Sequence, residues 1–278
     1  MPHARKRFAQ HWLRSETALN QIVAAADLSP DDRILEIGPG TGILTRRLLP
    51  LVAALVAIEV DRDLCQLLAK QLGARENFLL LQGDVLRLDW PALLADFPRF
   101  QAPQKVVANI PYNITGPILE HLLGTIAQPN PTPFERIVLL IQKEVADRLC
   151  AQPGSKTFGA LSVRVQYLAH CDRIATVPAS AFHPKPKVDS AIVCLRPQIP
   201  IAAANPPFLD RLVRLGFANK RKMLRNNLDT VSDRARLQQV LADLHIDPQV
   251  RAEAISVAQW VALSDALSQQ GPSSGVFD

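Results

Sequence analysis

The 278-residue sequence has no uninterrupted apolar run of 18 residues or more, the minimum for a membrane-spanning helix. No membrane partner is therefore expected. It has no CxxC pair either. Its four cysteines, Cys65, Cys150, Cys171 and Cys194, are scattered, so neither a zinc site nor a disulfide framework is implied. No metal is expected, and a reducing, cytoplasmic setting fits. The opening stretch "MPHARKRFAQHWLRS" lacks the apolar core and cleavage site of a secretory signal, and reads as a basic N-terminal arm. No internal repeat is found. Nor is there a large charge excess: the net charge is +5 and the pI near 9.2. That permits a nucleic-acid partner without demanding one.

Apolar residues make up 48% of the chain, enough for a proper core. From Arg33 onward, short apolar runs alternate with amphipathic ones. The predicted strands are "RILEI" (33–37), "ALVAIEV" (54–60), "NFLLLQ" (77–82), "KVVAN" (105–109) and "RIVLLIQ" (136–142). Between them, "RDLCQLLAKQL" and "GPILEHLLGTI" read as helices. Continuous apolar strands alternating with helices predict an α/β fold with a parallel sheet covered on both faces. Two later runs, "LSVRVQYLA" and "SAIVCLRP", are expected as an antiparallel hairpin at one edge, making seven strands in all. "RPQIPIAAANPPF" (196–208) reads as a linker. The expected division is 1–200 for the sheet domain and 201–278 for a small helical domain ending in a disordered polar tail.

"ILEIGPGTGILT" sets Gly38, Gly40 and Gly42 between a strand and a helix, where glycine permits a tight turn and close approach to a ligand. Glu59 ends the next strand, where a carboxylate can accept hydrogen bonds from both hydroxyls of a ribose. The spacing is GxGxG rather than the GxGxxG of dinucleotide folds, so an NAD site and a ligand-free tight turn stay as weaker alternatives. The third strand leads into Gly83-Asp84-Val85. Asp84 could hydrogen-bond an adenine amino group, or merely cap a helix. Loop, Glu59 and Asp84 together describe a pocket for an adenosine without phosphates, which is the shape of S-adenosylmethionine. Glu36 is expected to order the loop rather than touch ligand.

"ANIPYNIT" (108–115) puts an amide, a proline and an aromatic ring at the tip of the fourth strand. An adenine amine is a poor nucleophile because its lone pair is delocalised into the ring. Two acceptors that bind its N–H groups would orient it and favour a more tetrahedral nitrogen. Asn109 can supply one oxygen, and the carbonyl of Ile110 or Pro111 the other. Tyr112 offers a flat face to an extruded base, a contact worth roughly 1–3 kcal/mol, comparable to the few kcal/mol needed for unstacking. The plainer alternative is a proline turn with a surface tyrosine. A sulfonium-borne methyl needs alignment more than acid–base help, so no Ser/His/Asp constellation is required.

"RFAQHWL", "LEIGPGTGILT", "IEVDRDL", "GDVL", "ANIPYNIT", "QKEVADRL", "FHPKPKVDSAIV" and "KRKMLRNNL" follow in order over nearly the whole chain. In this the sequence resembles the ribosomal RNA adenine dimethyltransferases that modify small-subunit rRNA. The resemblance implies a Rossmann-like S-adenosylmethionine-dependent methyltransferase domain. As substrate it implies two adjacent adenosines near the 3′ end of 16S rRNA in the immature small subunit. It places cofactor contacts at His11, Leu13, Gly38, Glu59, Asp84 and Asn109, and sets an aromatic, Phe182, against the target base. The alternative for Phe182 is an ordinary core side chain. The family usually has Gly-Gln-Asn-Phe-Leu where this chain has Ala9-Gln10-His11-Trp12-Leu13, so a backbone contact is expected at His11 rather than a side-chain one.

"FLDRLVRLGFANKRKMLRNNL" carries Arg211, Arg214, Lys220, Arg221, Lys222 and Arg225 with few acids nearby. Its start is expected as a helix with Phe208, Leu212 and Leu215 on one stripe. The cations are expected to bind RNA phosphates, with Lys185 and Lys187 extending that surface; a solvated charged face is the alternative. Rival functions are dimethylation of 23S rRNA, an assembly factor that mainly binds immature subunits, and, more distantly, an NAD oxidoreductase. Nothing demands more than a monomer.

Overall fold

The computed structural model describes residues 10–199 and 201–268, so the basic arm before Gln10 and the polar tail after Ser268 lie outside the described residues. A two-residue strand, β1 (Trp12–Leu13), comes first. The apolar runs then form β2 (Arg33–Ile37), β3 (Ala54–Glu59), β4 (Phe78–Gln82), β5 (Lys105–Asn109) and β6 (Arg136–Gln142). They are followed by β7 (Ala169–Val177), the two-residue β8 (Phe182–His183) and β9 (Ser190–Pro197). Seven of these make one sheet in the order β4-β3-β2-β5-β6-β9-β7, while β1 and β8 pair as a separate ladder. β2 runs parallel to β3 and β5, β3 to β4, and β5 to β6; β9 is antiparallel to β6. Every residue of β3 is buried, as a strand covered on both faces requires.

The strand order reverses at β2: β3 and β4 lie to one side of it, β5 and β6 to the other. In an open α/β sheet such a reversal leaves a crevice beyond the carboxyl ends of the strands. The helix Glu16–Ala26, started by the Ser15 hydroxyl accepting the Ala18 N–H, buries Leu19 and Ile22 against Ile34, Leu55, Val107 and Ile192. Asp61 caps the helix Arg62–Leu72, which buries Leu64, Cys65, Leu68 and Leu72.

The chain divides into two compact units. One gathers the residues up to 122 with 132–146 and 171–197; the other holds 123–131, 147–170 and the residues from 198 onward. This differs from a single cut at residue 200, because "LSVRVQYL" is not a strand. It is the helix Ala160–Leu168, begun where the Ser162 hydroxyl accepts the Gly159 N–H and donates to the Arg148 carbonyl. Its apolar–polar alternation imitates a strand. The true strand, β7, shows no such alternation: as an edge strand it buries only Ala169 and Val177. In the second unit the helix Pro206–Gly216 buries Leu209, Leu212, Val213 and Gly216, a stripe turned slightly from the expected Phe208, Leu212 and Leu215. Arg211 and Arg214 remain exposed. Among the described residues no helix is long and apolar enough to cross a membrane.

Candidate active site

Beyond the carboxyl ends of β2 to β5 lies a cavity walled by the glycine loop, the ends of β3 and β4, the 109–112 corner and residues 10–13. Gly38, Gly40 and Gly42 all have positive φ (66°, 60° and 78°), a region disfavoured for side chains. At Gly42 a Cβ would also come within 2.8 Å of Leu68 Cδ2, so that side chain would have to shift. The Gly40 N–H donates to Glu59 Oε2 (3.1 Å) and the Asp61 N–H to Oε1 (2.9 Å). Glu59 is 5% exposed, and burial pushes its carboxyl up, with those two N–H groups opposing. Each oxygen keeps a lone pair for a ligand hydroxyl.

Asp84 caps a turn and also faces the cavity. Oδ1 accepts the Leu86 N–H (3.1 Å), capping the turn after β4, and the half-buried residue also lines the cavity beside the buried Val85. Leu13 lines it too. Glu36 is 1% exposed and lines the cavity, its Oε2 has no hydrogen-bond partner, and burial raises its carboxyl to about 8, with Thr45 just past the glycine loop opposing. A buried, unpartnered carboxyl oxygen suits a ligand that brings a cation or a donor. A buried carboxylate with lone pairs to spare (Glu59), a second carboxylate on the cavity wall (Asp84) and this oxygen are a donor set into which S-adenosylmethionine, with its ribose hydroxyls, adenine amine and ammonium, would fit.

Asn109 ends β5, and its Nδ2 donates to the backbone carbonyl of His11 (3.4 Å), leaving Oδ1 as the acceptor end. Ile110 is 2% exposed. The Pro111 carbonyl is drawn into the next turn, accepting the Ile114 N–H (3.4 Å), while the Thr115 hydroxyl lies 3.2 Å from the Tyr112 carbonyl and 3.5 Å from that of Pro111. The Tyr112 hydroxyl lies 2.6 Å from the Ser190 hydroxyl at the start of β9. Burial pushes its phenol up, with the Ser190 bond opposing. The Tyr112 and His11 rings stack, centroids 5.8 Å apart and planes 21° from parallel. His11 Nδ1 donates to the Pro184 carbonyl (2.7 Å). Neither Ser190 nor this stack is signalled by any motif, because both depend on contacts between segments far apart in the chain.

Phe182 is a correction. It is 4% exposed, pairs with Leu13 across the β1–β8 ladder and belongs to the core cluster with Val177 and Ile192. A ring enclosed in this way has no face to offer a base, so the alternative of a core side chain holds. Lys185 and Lys187 are exposed on the loop that follows His183.

In the second unit Lys220, Arg221 and Lys222 are exposed on a turn that Asn227 braces: its Nδ2 donates to the carbonyls of Gly216 (2.6 Å) and Asn219 (3.1 Å). Arg225 is half-buried, with a buried Nε that finds no partner. Among the described residues no carboxylate forms an ion pair with any of the six cations from Arg211 to Arg225, and no cluster of His, Cys, Asp and Glu is placed to hold a metal.

The family model described as "Ribosomal RNA adenine dimethylase" matches residues 1–269. A curated relative from Trichormus variabilis, "Ribosomal RNA small subunit methyltransferase A", is 69% identical over 268 residues, covering 96% of this chain and 99% of its own. A relative of the same name from Synechococcus elongatus is 58% identical over 265 residues, with 95% of each chain covered. Among solved structures, a dimethyladenosine transferase from Plasmodium falciparum superposes with a TM-score of 0.77 at 27% identity, covering 91% of this chain and 96% of that one. The 23S rRNA methyltransferase ErmE gives 0.73 at 26% identity, with 92% and 99% covered.

Proposed function

This chain belongs to the ribosomal RNA adenine dimethylase family, and we propose that it dimethylates the exocyclic amines of two adjacent adenosines near the 3′ end of 16S rRNA in the immature small subunit. It acts as a monomer in the cytoplasm. S-adenosylmethionine, when bound, supplies a methyl group on a positive sulfur. Glu59 would hold its ribose and Asp84 its adenine, with Gly38, Gly40 and Gly42 giving the backbone room. Glu36 would face its amino-acid end.

The observation that carries the reading is the Asn109 amide. Its nitrogen is committed to the His11 carbonyl, so Oδ1 is the end left to accept a substrate N–H. The Pro111 carbonyl is committed to its own turn. That favours the Ile110 carbonyl, at the same tip, as the second acceptor. Two oxygens facing one amine orient its lone pair towards the methyl carbon and stabilise the positive charge that grows on nitrogen during transfer. The proton the nitrogen then sheds can pass to water. Tyr112, its hydroxyl fixed by Ser190, keeps its ring in one plane for the base.

The six cations of the second unit, with Lys185 and Lys187 on the first, would neutralise rRNA phosphates. The 201–278 segment is on this reading the main RNA-binding part. The likeness to ErmE favours one other reading, dimethylation of 23S rRNA. Small-subunit names at 58–69% identity weigh against it. The test is to incubate the protein with labelled S-adenosylmethionine and undermethylated small subunits, then map the label by nucleotide. Label on adjacent adenosines near the 3′ end is expected. In a parallel incubation with undermethylated large subunits no label is expected; label on the large subunits alone, or on neither, would overturn the reading.

A further inference from the structure

One face of Tyr112 already has a ring beside it. The His11 imidazole lies against its ring, centroids 5.8 Å apart and planes 21° from parallel. A base between them would need roughly 7 Å, two layers of carbon contact at about 3.5 Å each. The ring that lies over Tyr112 is also the one best placed to leave. Its backbone is fastened, by the Trp12 and Leu13 ladder to His183 and Phe182 and by its carbonyl accepting the Asn109 amide. Its side chain is half-buried and held by one hydrogen bond, to the Pro184 carbonyl on an exposed loop where water can replace it. A rotation of the imidazole about χ1 would uncover that face of Tyr112 while leaving the backbone bond to Asn109 in place.

From this geometry we infer that His11 is a stand-in for the target purine, covering the Tyr112 face in the base-free enzyme and giving way to the base when RNA docks. His11 is then a positioning residue for the acceptor. It keeps the aromatic plate shielded from water, at the cost of competing with the substrate for it. The inference rests on the adenine-methylating reading given above.

Two substitutions separate ring from hydrogen bond. His11→Asn removes the ring and keeps a donor for Pro184; His11→Phe keeps a ring and removes the donor. The readout is the KM for undermethylated small subunits, alongside kcat, the cofactor Kd from calorimetry and the Tm of each variant. If the ring competes with the base, KM in His11→Asn falls below that in His11→Phe by about two- to tenfold, the range expected from the strength of an aromatic pair, with similar cofactor Kd in the two. A KM in His11→Asn equal to or above that in His11→Phe overturns the inference, because the ring would then help the base or ignore it. A split that follows cofactor Kd instead of KM overturns it as well. A wild-type chain that transfers no methyl would sink the function reading itself, a result distinct from transfer without a split between variants.

Discussion

Replacing Asn109 by alanine removes two things of very different size. The bond from Nδ2 to the His11 carbonyl is long at 3.4 Å and only part-buried, so its loss costs about 0.5–1 kcal/mol, or a Tm fall of about 1–4 °C for a chain of this size. Oδ1, by contrast, would be one of only two acceptors for the amine whose charge rises during transfer. Deleting one preorganised hydrogen-bonding group at a reacting centre costs about 10²–10³ in kcat. The fold should therefore survive and the chemistry fail. Cofactor affinity should fall far less than the rate, because Glu59 and Asp84 remain. The assay is single-turnover methyl transfer to undermethylated small subunits, with calorimetric titration of S-adenosylmethionine and a melting curve on the same preparation. A variant that transfers methyl within tenfold of the wild-type rate would refute the amine-alignment argument. A variant that loses cofactor binding in proportion to rate would show that Asn109 serves the donor instead.

Three further outcomes are expected. Tyr112→Ala should slow transfer much more than Tyr112→Phe, which loses only the Ser190 hydrogen bond; equal losses in single-turnover rate would mean that the hydroxyl matters, not the ring. Replacing Arg221 and Lys222 together by alanine should weaken rRNA binding and reduce the slope of log K against log salt by about 1.4, at roughly 0.7 per single-strand phosphate contact; an unchanged slope removes their phosphate role. The raised carboxyl of Glu36, about 8 in the fold against 4.5 ordinarily, means that the folded chain holds a proton the unfolded one has released. Between these values stability falls as pH rises. Glu36→Gln lacks this linkage, so its Tm without cofactor should exceed the wild-type value most near pH 8 and converge with it towards pH 5. A gap independent of pH would contradict the buried, protonated acid.

The five parallel strands could be read from the sequence because a strand buried on both faces is apolar along its covered length, as β3 is up to Glu59 and β6 is between Arg136 and Gln142. The donor cavity was legible for a related reason: a glycine loop, Glu59 and Asp84 all sit at strand ends, where chain order and space coincide. β7 was hidden because an edge strand need bury little, and the helix Ala160–Leu168 because its valines fall at alternate positions. Phe182 misled because motif position says nothing of burial; the ladder that encloses it joins residues some 170 apart in sequence. At Glu36 only the packing around it reveals a carboxyl oxygen without a hydrogen-bond partner.

The short β1–β8 ladder has a consequence for proteolysis. It splices the beginning of the chain to a point two-thirds along it, so that Leu13 lines the donor cavity while its partner Phe182 leads into the lysine-bearing loop. A protease nick releasing everything before Arg14 would strip a wall from the donor cavity and unmoor that loop. A single cut far from Asn109 in sequence would thus reach two parts of the fold at once.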